Sequence, residues 1–237
     1  MESRFNDIAS VYDAQIPQHV RFHLLARKTA LMTAWLKDLD RSTAVGLDLG
    51  CGTGWHVQRL QELGYRVWGL DSSVAQLREA THRQTACAGS CWCLSDVQKL
   101  PYPDAGVDFA FAINVIHHLE TRAEQMAAIH EIARVLRPGG LFFLHEVSTT
   151  HPVMSVYMNY VFPRLRRIDN GQENWILPED LRSWPGFELL DVQRFTFAPD
   201  FTPRWLFPVM TRIERWLEGT RLRAFAAHYM GVLRRKA

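Results

Sequence analysis

The sequence predicts an α/β protein, a doubly wound and mostly parallel sheet of seven strands with helices on its faces. Three observations carry this. Strand-like and helix-like segments alternate in order across residues 44–147. One of the strand segments, Val107–Ile113, is a near-continuous apolar run broken only by Asp108, the composition of a central parallel strand buried on both faces. The first strand, from Ala44, runs into three glycines at alternate positions, Gly50, Gly52 and Gly54, and then into an apolar-periodic segment from Trp55.

Taken in order, Phe5, Ile8, Ala9 and Tyr12 stand at helical spacing, so residues 3–14 read as a helix. Pro17 breaks the chain, and Val20–Leu39 reads as a second helix. After the glycines, Trp55–Leu63 is the first core helix, ended by Gly64 as its C-cap. A strand at Arg66–Leu70, a helix over 74–83, a Gly/Cys loop and a strand over 90–95 follow. Beyond Val107–Ile113, a helix over Ala123–Leu136 is closed by Arg134, Arg137 and the turn Pro138-Gly139-Gly140, and Leu141–Val147 is the next strand. Past residue 150 the pattern loosens into an apolar and basic stretch with Tyr157, Tyr160 and Phe162 and a short helix at Glu179. A strand over Phe187–Phe197 and a last strand over Ala226–Arg234 complete the sheet. Between them, Pro203–Glu218 places Leu206, Met210, Ile213 and Leu217 on one helical face, with Arg212, Glu214 and Arg215 opposite. The expected organisation is a helical cap over 1–40, a cofactor core over 41–150 and a C-terminal half over 151–237 with a helical substrate lid, all in one structural domain.

A chain of 237 residues with 47% hydrophobic composition supports one sizeable core. The formal net charge of +2 says little about partners, but its distribution is uneven. From Phe201 onward there are eight Arg/Lys against two acids, whereas the rest carries nineteen against twenty-three. No stretch has the length of a membrane-spanning helix, and the start has no apolar signal core, so a cytoplasmic protein is expected. Of the four cysteines, Cys51 lies in the glycine turn, while Cys87, Cys91 and Cys93 cluster near His82. Their spacing fits no zinc pattern, so reduced, mostly buried thiols and no metal are expected.

The glycine turn is where chemistry enters. Glycines let the backbone adopt positive φ and approach a ligand closely, and a helix start offers unpaired N–H groups. A strand, a tight turn and a helix in that order make a nucleoside-cofactor site. The dinucleotide fingerprint needs a third glycine where this chain has Trp55, and it does not include an acid at Asp48. The stretch Asp48-Leu49-Gly50-Cys51-Gly52-Thr53-Gly54 instead resembles motif I of the class I S-adenosylmethionine-dependent methyltransferases. Asp96 followed by Leu100-Pro101-Tyr102, and the segment Arg134-Val135-Leu136-Arg137-Pro138-Gly139-Gly140-Leu141, resemble later motifs of the same family. Within it the chain is most similar to the small-molecule group that includes quinone-biosynthesis enzymes.

The resemblance implies a Rossmann-like fold whose last two strands form an antiparallel edge pair, with S-adenosyl-L-methionine as cofactor. Asp48, Gly50, Cys51 and Gly52 would then hold the methionine end. Asp71 follows the turn by about twenty residues, the spacing at which a carboxylate reaches ribose hydroxyls, and Ser72 stands beside it. By family analogy Asp96 contacts the adenine amine, Val97 bonds the ring through its backbone, and Asn114 lines the pocket. Tyr12 has two readings, a cap residue touching the cofactor and a plain packing anchor.

Methyl transfer from a sulfonium is an in-line displacement that needs alignment, dryness and, for a neutral nucleophile, removal of a proton. His117 and His118, just past a strand end, are the candidate bases, with His145 and Glu146 behind them in rank. The expected acceptor is a small, apolar or amphipathic metabolite methylated at O, N or C; nucleic acid is not the expected partner. Two alternatives stand beside it, tRNA wobble-base methylation and a catalytically silent cofactor-binding subunit. The C-terminal helix, with Trp205, Phe207 and Trp216 beside Arg212 and Arg215, reads as core packing or a lid, as a peripheral membrane face, or as an RNA-binding face.

Overall fold

The computed structural model describes residues 4–83, 91–148, 155–161, 164, 173–199 and 202–237. Seven strands form one sheet: β1 (Val45–Leu49), β2 (Arg66–Asp71), β3 (Trp92–Leu94), β4 (Val107–Ile113), β5 (Leu136–Val147), β6 (Phe187–Phe195) and β7 (His228–Arg235). Their spatial order is β3-β2-β1-β4-β5-β7-β6. The five strands from β3 to β5 are parallel, and β7 runs antiparallel to both β5 and β6. This is the doubly wound, Rossmann-like sheet with an antiparallel edge pair that the sequence predicts.

The helices are α1 (Ala9–Tyr12), α2 (Gln18–Trp35), α3 (Trp55–Glu62), α4 (Val74–Arg83), α5 (Arg122–Val135) and α6 (Phe207–Glu218). The sheet separates two apolar cores. One face packs Leu47, Leu49, Ala110, Phe142 and Leu144 against Ile129 and Ile132 of α5. The other packs Phe109, Phe111 and Phe143 against Met32 of α2 and Val57 and Leu60 of α3. Side chains of successive strand residues alternate between the two, which is why β4 must be apolar throughout.

Polar side chains fix the edges of these layers. Asp108, the one charged residue of β4, accepts from Val45 N at 2.7 Å and from Arg137 Nε at 2.6 Å, tying β1 to the start of β5, which takes in the expected Pro138-Gly139-Gly140 turn. Arg134 donates to the carbonyls of Leu100 and Tyr102 and to Glu131, and Glu131 accepts from Leu100 N. The family-like Leu100-Pro101-Tyr102 segment is thereby pinned to α5. A capping box between Thr121 and Glu124 starts that helix.

Three expectations change. The described residues of the expected helix over 3–14 form the short helix α1 between two 3-10 turns, Arg4–Asn6 and Asp13–Gln15, because Asn6 and Asp13 are drawn to partners elsewhere in the fold. The strand expected from Leu141 begins at Leu136, which pairs with Val107 ahead of a register shift. The helix expected to reach Leu39 ends at Trp35. The loop over 84–90 with Cys87, the first residue of the strand expected over 90–95, and most of the stretch around Phe162 lie outside the described residues; Tyr157–Val161 forms a π-helical turn.

Candidate active site

At the carboxyl ends of β1, β2 and β4 the sheet opens into a cavity of about 1060 Å³. This is where a doubly wound sheet holds ligands. One wall is the glycine turn. Gly50 has φ +71, and a Cβ there would stand 2.5 Å from the Val115 side chain. Gly54 has φ +81, and a Cβ there would meet the Trp92 ring at 2.4 Å. Both positions exclude every other residue by conformation and by space. The turn's amides are spent internally: Cys51 N donates to Leu70 O at 2.8 Å, Gly52 N to Asp71 Oδ2 at 2.8 Å and Gly54 N to Cys51 O at 2.9 Å. The turn thus shapes the cavity rather than presenting these N–H groups to an anion, as suits a ligand without pyrophosphate.

Asp71, at the end of β2, is the bracket of the site. Besides Gly52 N it holds Ser73 N on Oδ1 at 2.8 Å. Burial raises its pKa, against the pull of these backbone donors. The N-cap of α4 is Ser73, whose Oγ accepts from Gln76 N at 3.2 Å, so Asp71 is left facing the cavity. Gln76 also lines the cavity, and neither its Oε1 nor its Nε2 has a partner, although both are buried. A buried amide with nothing to bond is costly unless a ligand completes it.

The expected cofactor residues divide. Tyr12, Gly50, Gly52, Asp71, Ser72, Asp96, Val97 and Asn114 all line the cavity. Asp48 and Cys51 stand behind the turn and do not. Burial, and then the neighbouring Asp71, pushes the pKa of the Asp48 carboxyl, beneath the floor, well up. The Cys51 thiol is likewise pushed up by burial and by Asp48.

The histidines divide too. His118 lines the cavity, with Phe5 edge-on to its ring at 5.1 Å between centroids. His117 is buried behind it, its Nδ1 bonded to Glu146 Oε2 and its ring stacked on Trp175 at 4.7 Å. Glu146 therefore backs His117 and does not reach the cleft. His145 lies on the other face of the sheet, bonded through Nδ1 to Asn114 Oδ1 at 2.9 Å and through Nε2 to His228 at 3.1 Å. Burial, then Lys28, holds it well below its usual pKa and therefore neutral, with both ring nitrogens occupied. Asn114 has φ 58 and joins this pair to the cavity wall.

The N-terminal turns close the cleft. Asn6 Oδ1 accepts from Ser73 Oγ at 2.7 Å and from Ala75 N at 3.3 Å. Asp13 accepts from Thr53 Oγ1 and from Trp55 Nε1, both at 3.0 Å, and pairs with Arg83 and Arg21. The Arg83 guanidinium lies 3.8 Å from the Trp55 ring centroid. Phe5 and Tyr12, edge-on to one another at 6.2 Å, are thus held in the cavity wall. Phe5 and Gln76 are among the lining residues the sequence did not assign to the site. For Gln76 the available signal was its place three residues after a helix-capping serine, in the first turn beside the glycines.

A glycine-shaped cavity with a ribose-spaced carboxylate, at the switch point of a doubly wound sheet, defines a class I nucleoside-cofactor domain. Residues 47–144 match the methyltransferase domain family. The match supports a class I S-adenosylmethionine-dependent methyltransferase domain, a family whose cofactor is S-adenosylmethionine. Over 102 residues the chain is 38% identical to a malonyl-[acyl-carrier protein] O-methyltransferase of Serratia marcescens, covering 43% of this chain and 38% of that one. Over 155 residues it is 32% identical to a demethylmenaquinone methyltransferase of Corynebacterium urealyticum, covering 61% and 62%. The chain thus spans about half the length of the curated relatives it matches. The solved structure of an S-adenosylmethionine-dependent methyltransferase from Thermotoga maritima shares the fold, with a TM-score of 0.65, 19% identity and coverage of 98% and 99%.

The residues present fit this cofactor. Asp71 and Asp96 offer acceptors to hydroxyl and amine donors, and Gln76 supplies an uncommitted buried amide. No helix among the described residues is long and apolar enough to cross a membrane.

Proposed function

We propose that the protein transfers a methyl group from S-adenosylmethionine to an O, N or C nucleophile of a small, apolar or amphipathic acceptor in the cytoplasm. The observation that carries this is the continuity of the cavity. The proposed cofactor wall (Gly50, Asp71, Asp96) and a second wall of Phe5, His118 and Leu119 enclose one space of about 1060 Å³. That is at the top of the roughly 300–1,000 Å³ typical of ligand pockets, so two small molecules share it.

In this reading Asp71 accepts the ribose hydroxyls while its other lone pairs keep Gly52 and Ser73 in place. Asp96 and Val97 hold the adenine, and Gly50 and Gly52 leave room for the methionine end. Asp48 and Cys51 act from beneath, by filling the floor. The cofactor supplies an activated methyl group on a sulfonium. The chain's task is to align the acceptor and keep water out, which Phe5 and Tyr12 serve. His118 is the proton acceptor on the wall, and His117, fixed by Glu146 and Trp175, positions it.

The two curated relatives above are named for methylating a malonyl-[acyl-carrier protein] and a demethylmenaquinone, and both names support a non-nucleic-acid acceptor. The test is transfer of labelled methyl into cell extract fractionated into lipid, RNA and small polar pools. Label in the lipid or small-molecule pool is expected. Label in RNA alone would replace this reading with tRNA modification. Tight cofactor binding without label anywhere would replace it with the silent subunit. Asp71→Ala, read by calorimetry, is expected to weaken cofactor binding by about a hundredfold.

A further inference from the structure

The C-terminal helix is packed inside out. On α6 the two acids turn inward: Glu214 is fully buried and takes hydrogen bonds from Arg27 Nη1 at 2.5 Å, His23 Nε2 at 3.2 Å and Phe197 N at 2.8 Å. Glu218 pairs with Arg27 through both oxygens and accepts from Thr196 N. Those are the only acids from residue 202 to residue 237. With them docked on α2 and the end of β6, the opposite face points to solvent. It carries Val209, Ile213 and Trp216, preceded by Trp205 and followed by Leu222 and Phe225 in the turn Arg221–Phe225, all exposed. Trp205 is 79% and Trp216 66% accessible. Arg212 and Arg215 on the helix, and Arg221 and Arg223 on the turn, are exposed among them.

Helical geometry makes this one surface. At 100° per residue, Arg212, Trp216, Val209 and Ile213 fall within an arc of about 100°, and Arg215 flanks it. A soluble helix places such residues inward, and the rare outward cluster of large apolar side chains marks a docking surface. Trp and Arg together, with no outward acid on the helix, match a surface that is apolar below and negatively charged at its boundary.

We infer that α6 and the turn after it dock on an anionic lipid surface. Trp205, Trp216, Ile213 and Phe225 enter the headgroup–acyl boundary, and the four arginines meet lipid phosphates. The inward placement of Glu214 and Glu218, held by Arg27, is what leaves the outward face with basic charges and no acid. The same α2 that carries Arg27 carries Arg21, whose Nη1 donates to Asp13 O at 2.7 Å, next to Tyr12 in the cavity wall. One helix therefore joins the docked face to the closed end of the cleft.

The test is flotation of the full chain with vesicles of phosphatidylcholine alone and of phosphatidylcholine with phosphatidylglycerol, in low and high salt. Flotation with the anionic vesicles only, falling roughly tenfold at high salt, is expected. Trp205→Ser with Trp216→Ser should abolish flotation, and Arg212→Gln with Arg215→Gln should lower it by roughly an order of magnitude. Brominated acyl chains should quench tryptophan emission of the wild type and not of the double-tryptophan variant. All four positions are exposed, and unchanged cofactor affinity by calorimetry certifies the variants as folded. No flotation of the wild type, equal flotation on both vesicles, or full flotation of the double-tryptophan variant overturns the inference. So does a concentration-dependent dimer that the tryptophan variants dissolve, since that would assign the face to a second copy of the chain.

Discussion

Trp55 donates its indole N–H to Asp13 Oδ2 at 3.0 Å, which joins the first residue of α3 to the N-terminal turns across 42 positions of sequence. The residue that stands where a dinucleotide turn has glycine is thus a fastener. Arg83 stacks on its face while bonding the same carboxylate, so three side chains hold one joint beside the cofactor turn.

Breaking that joint should open the cleft more than it unfolds the protein. Asp13→Ala takes the carboxylate from Thr53 and the indole N–H and breaks the ion pairs with Arg83 and Arg21, which keep their bonds to the Thr53 and Asp13 carbonyls. A stability loss of about 1–2 kcal/mol is expected, with a faster cofactor dissociation rate. Trp55→Phe keeps a ring under Arg83 and should cost less on both counts. Stopped-flow displacement of the cofactor reads the outcome; an unchanged rate in Asp13→Ala would remove the latch from the cofactor's path.

Gln76 allows a test in which two measurements move in opposite directions. Its amide is buried with no partner, a penalty of about 1–3 kcal/mol that a ligand would relieve. Gln76→Leu should raise or maintain the melting temperature of the free protein while weakening cofactor binding about tenfold. Loss of stability together with unchanged affinity would make Gln76 a structural residue only.

His118 and His117 should separate kinetically once an acceptor is in hand. Removing a positioned general base typically costs about 10²–10⁴ in rate, so His118→Ala should lower kcat by that much with cofactor affinity intact. Glu146→Gln, acting through His117, should lower kcat less and shift the pH profile of the reaction. A wild-type profile in His118→Ala would make that histidine a wall and no more.

The docking of α6 carries its own pH signature. Burial opposes ionisation of Glu214, but hydrogen bonds from His23, Phe197 N and Ala198 N, and the charge of Arg27, hold it down to about 2 from 4.5. A carboxyl with a lower pKa folded than unfolded stabilises the fold above the unfolded value, and that contribution drains as pH falls from 4.5 towards 2. Glu214→Gln should cost on the order of 2 kcal/mol at pH 7. Its deficit relative to wild type should shrink through this acid window, as followed by thermal melts. A deficit independent of pH would contradict the assignment.

Most of the fold was legible because buried parallel strands must be apolar and glycines punctuate the turns around them. Val107–Ile113 and the glycine turn follow from local chemistry alone. The site was legible where spacing along the chain equals spacing in the cleft, as from Gly52 to Asp71. It was not legible where a partner comes from far away. The periodicity of Leu206, Met210, Ile213 and Leu217 points that face inward, but Arg27, 187 residues from Glu214 in sequence, turns the acidic face in instead. Adjacent histidines are equivalent in a sequence. In the fold Glu146 and Trp175 draw His117 behind the wall and leave His118 on it. The N-terminal segment fragments for the same reason, since Asn6 and Asp13 bond to α4 and α3 rather than to their own turn.

The strand order β5-β7-β6 has a consequence for assembly. β7 comes last of the seven in the chain yet lies between two strands made earlier, pairing with β5 over Leu141–Val147 and with β6 over Phe187–Phe195. Until it inserts, β5 and β6 each present an unsatisfied row of backbone donors and acceptors. Both ladders then close together, late, and through contacts of high sequence separation, which are slow to form. A lesion in β7 would therefore bare two adhesive edges at once, and its first symptom would be self-association of the nascent sheet.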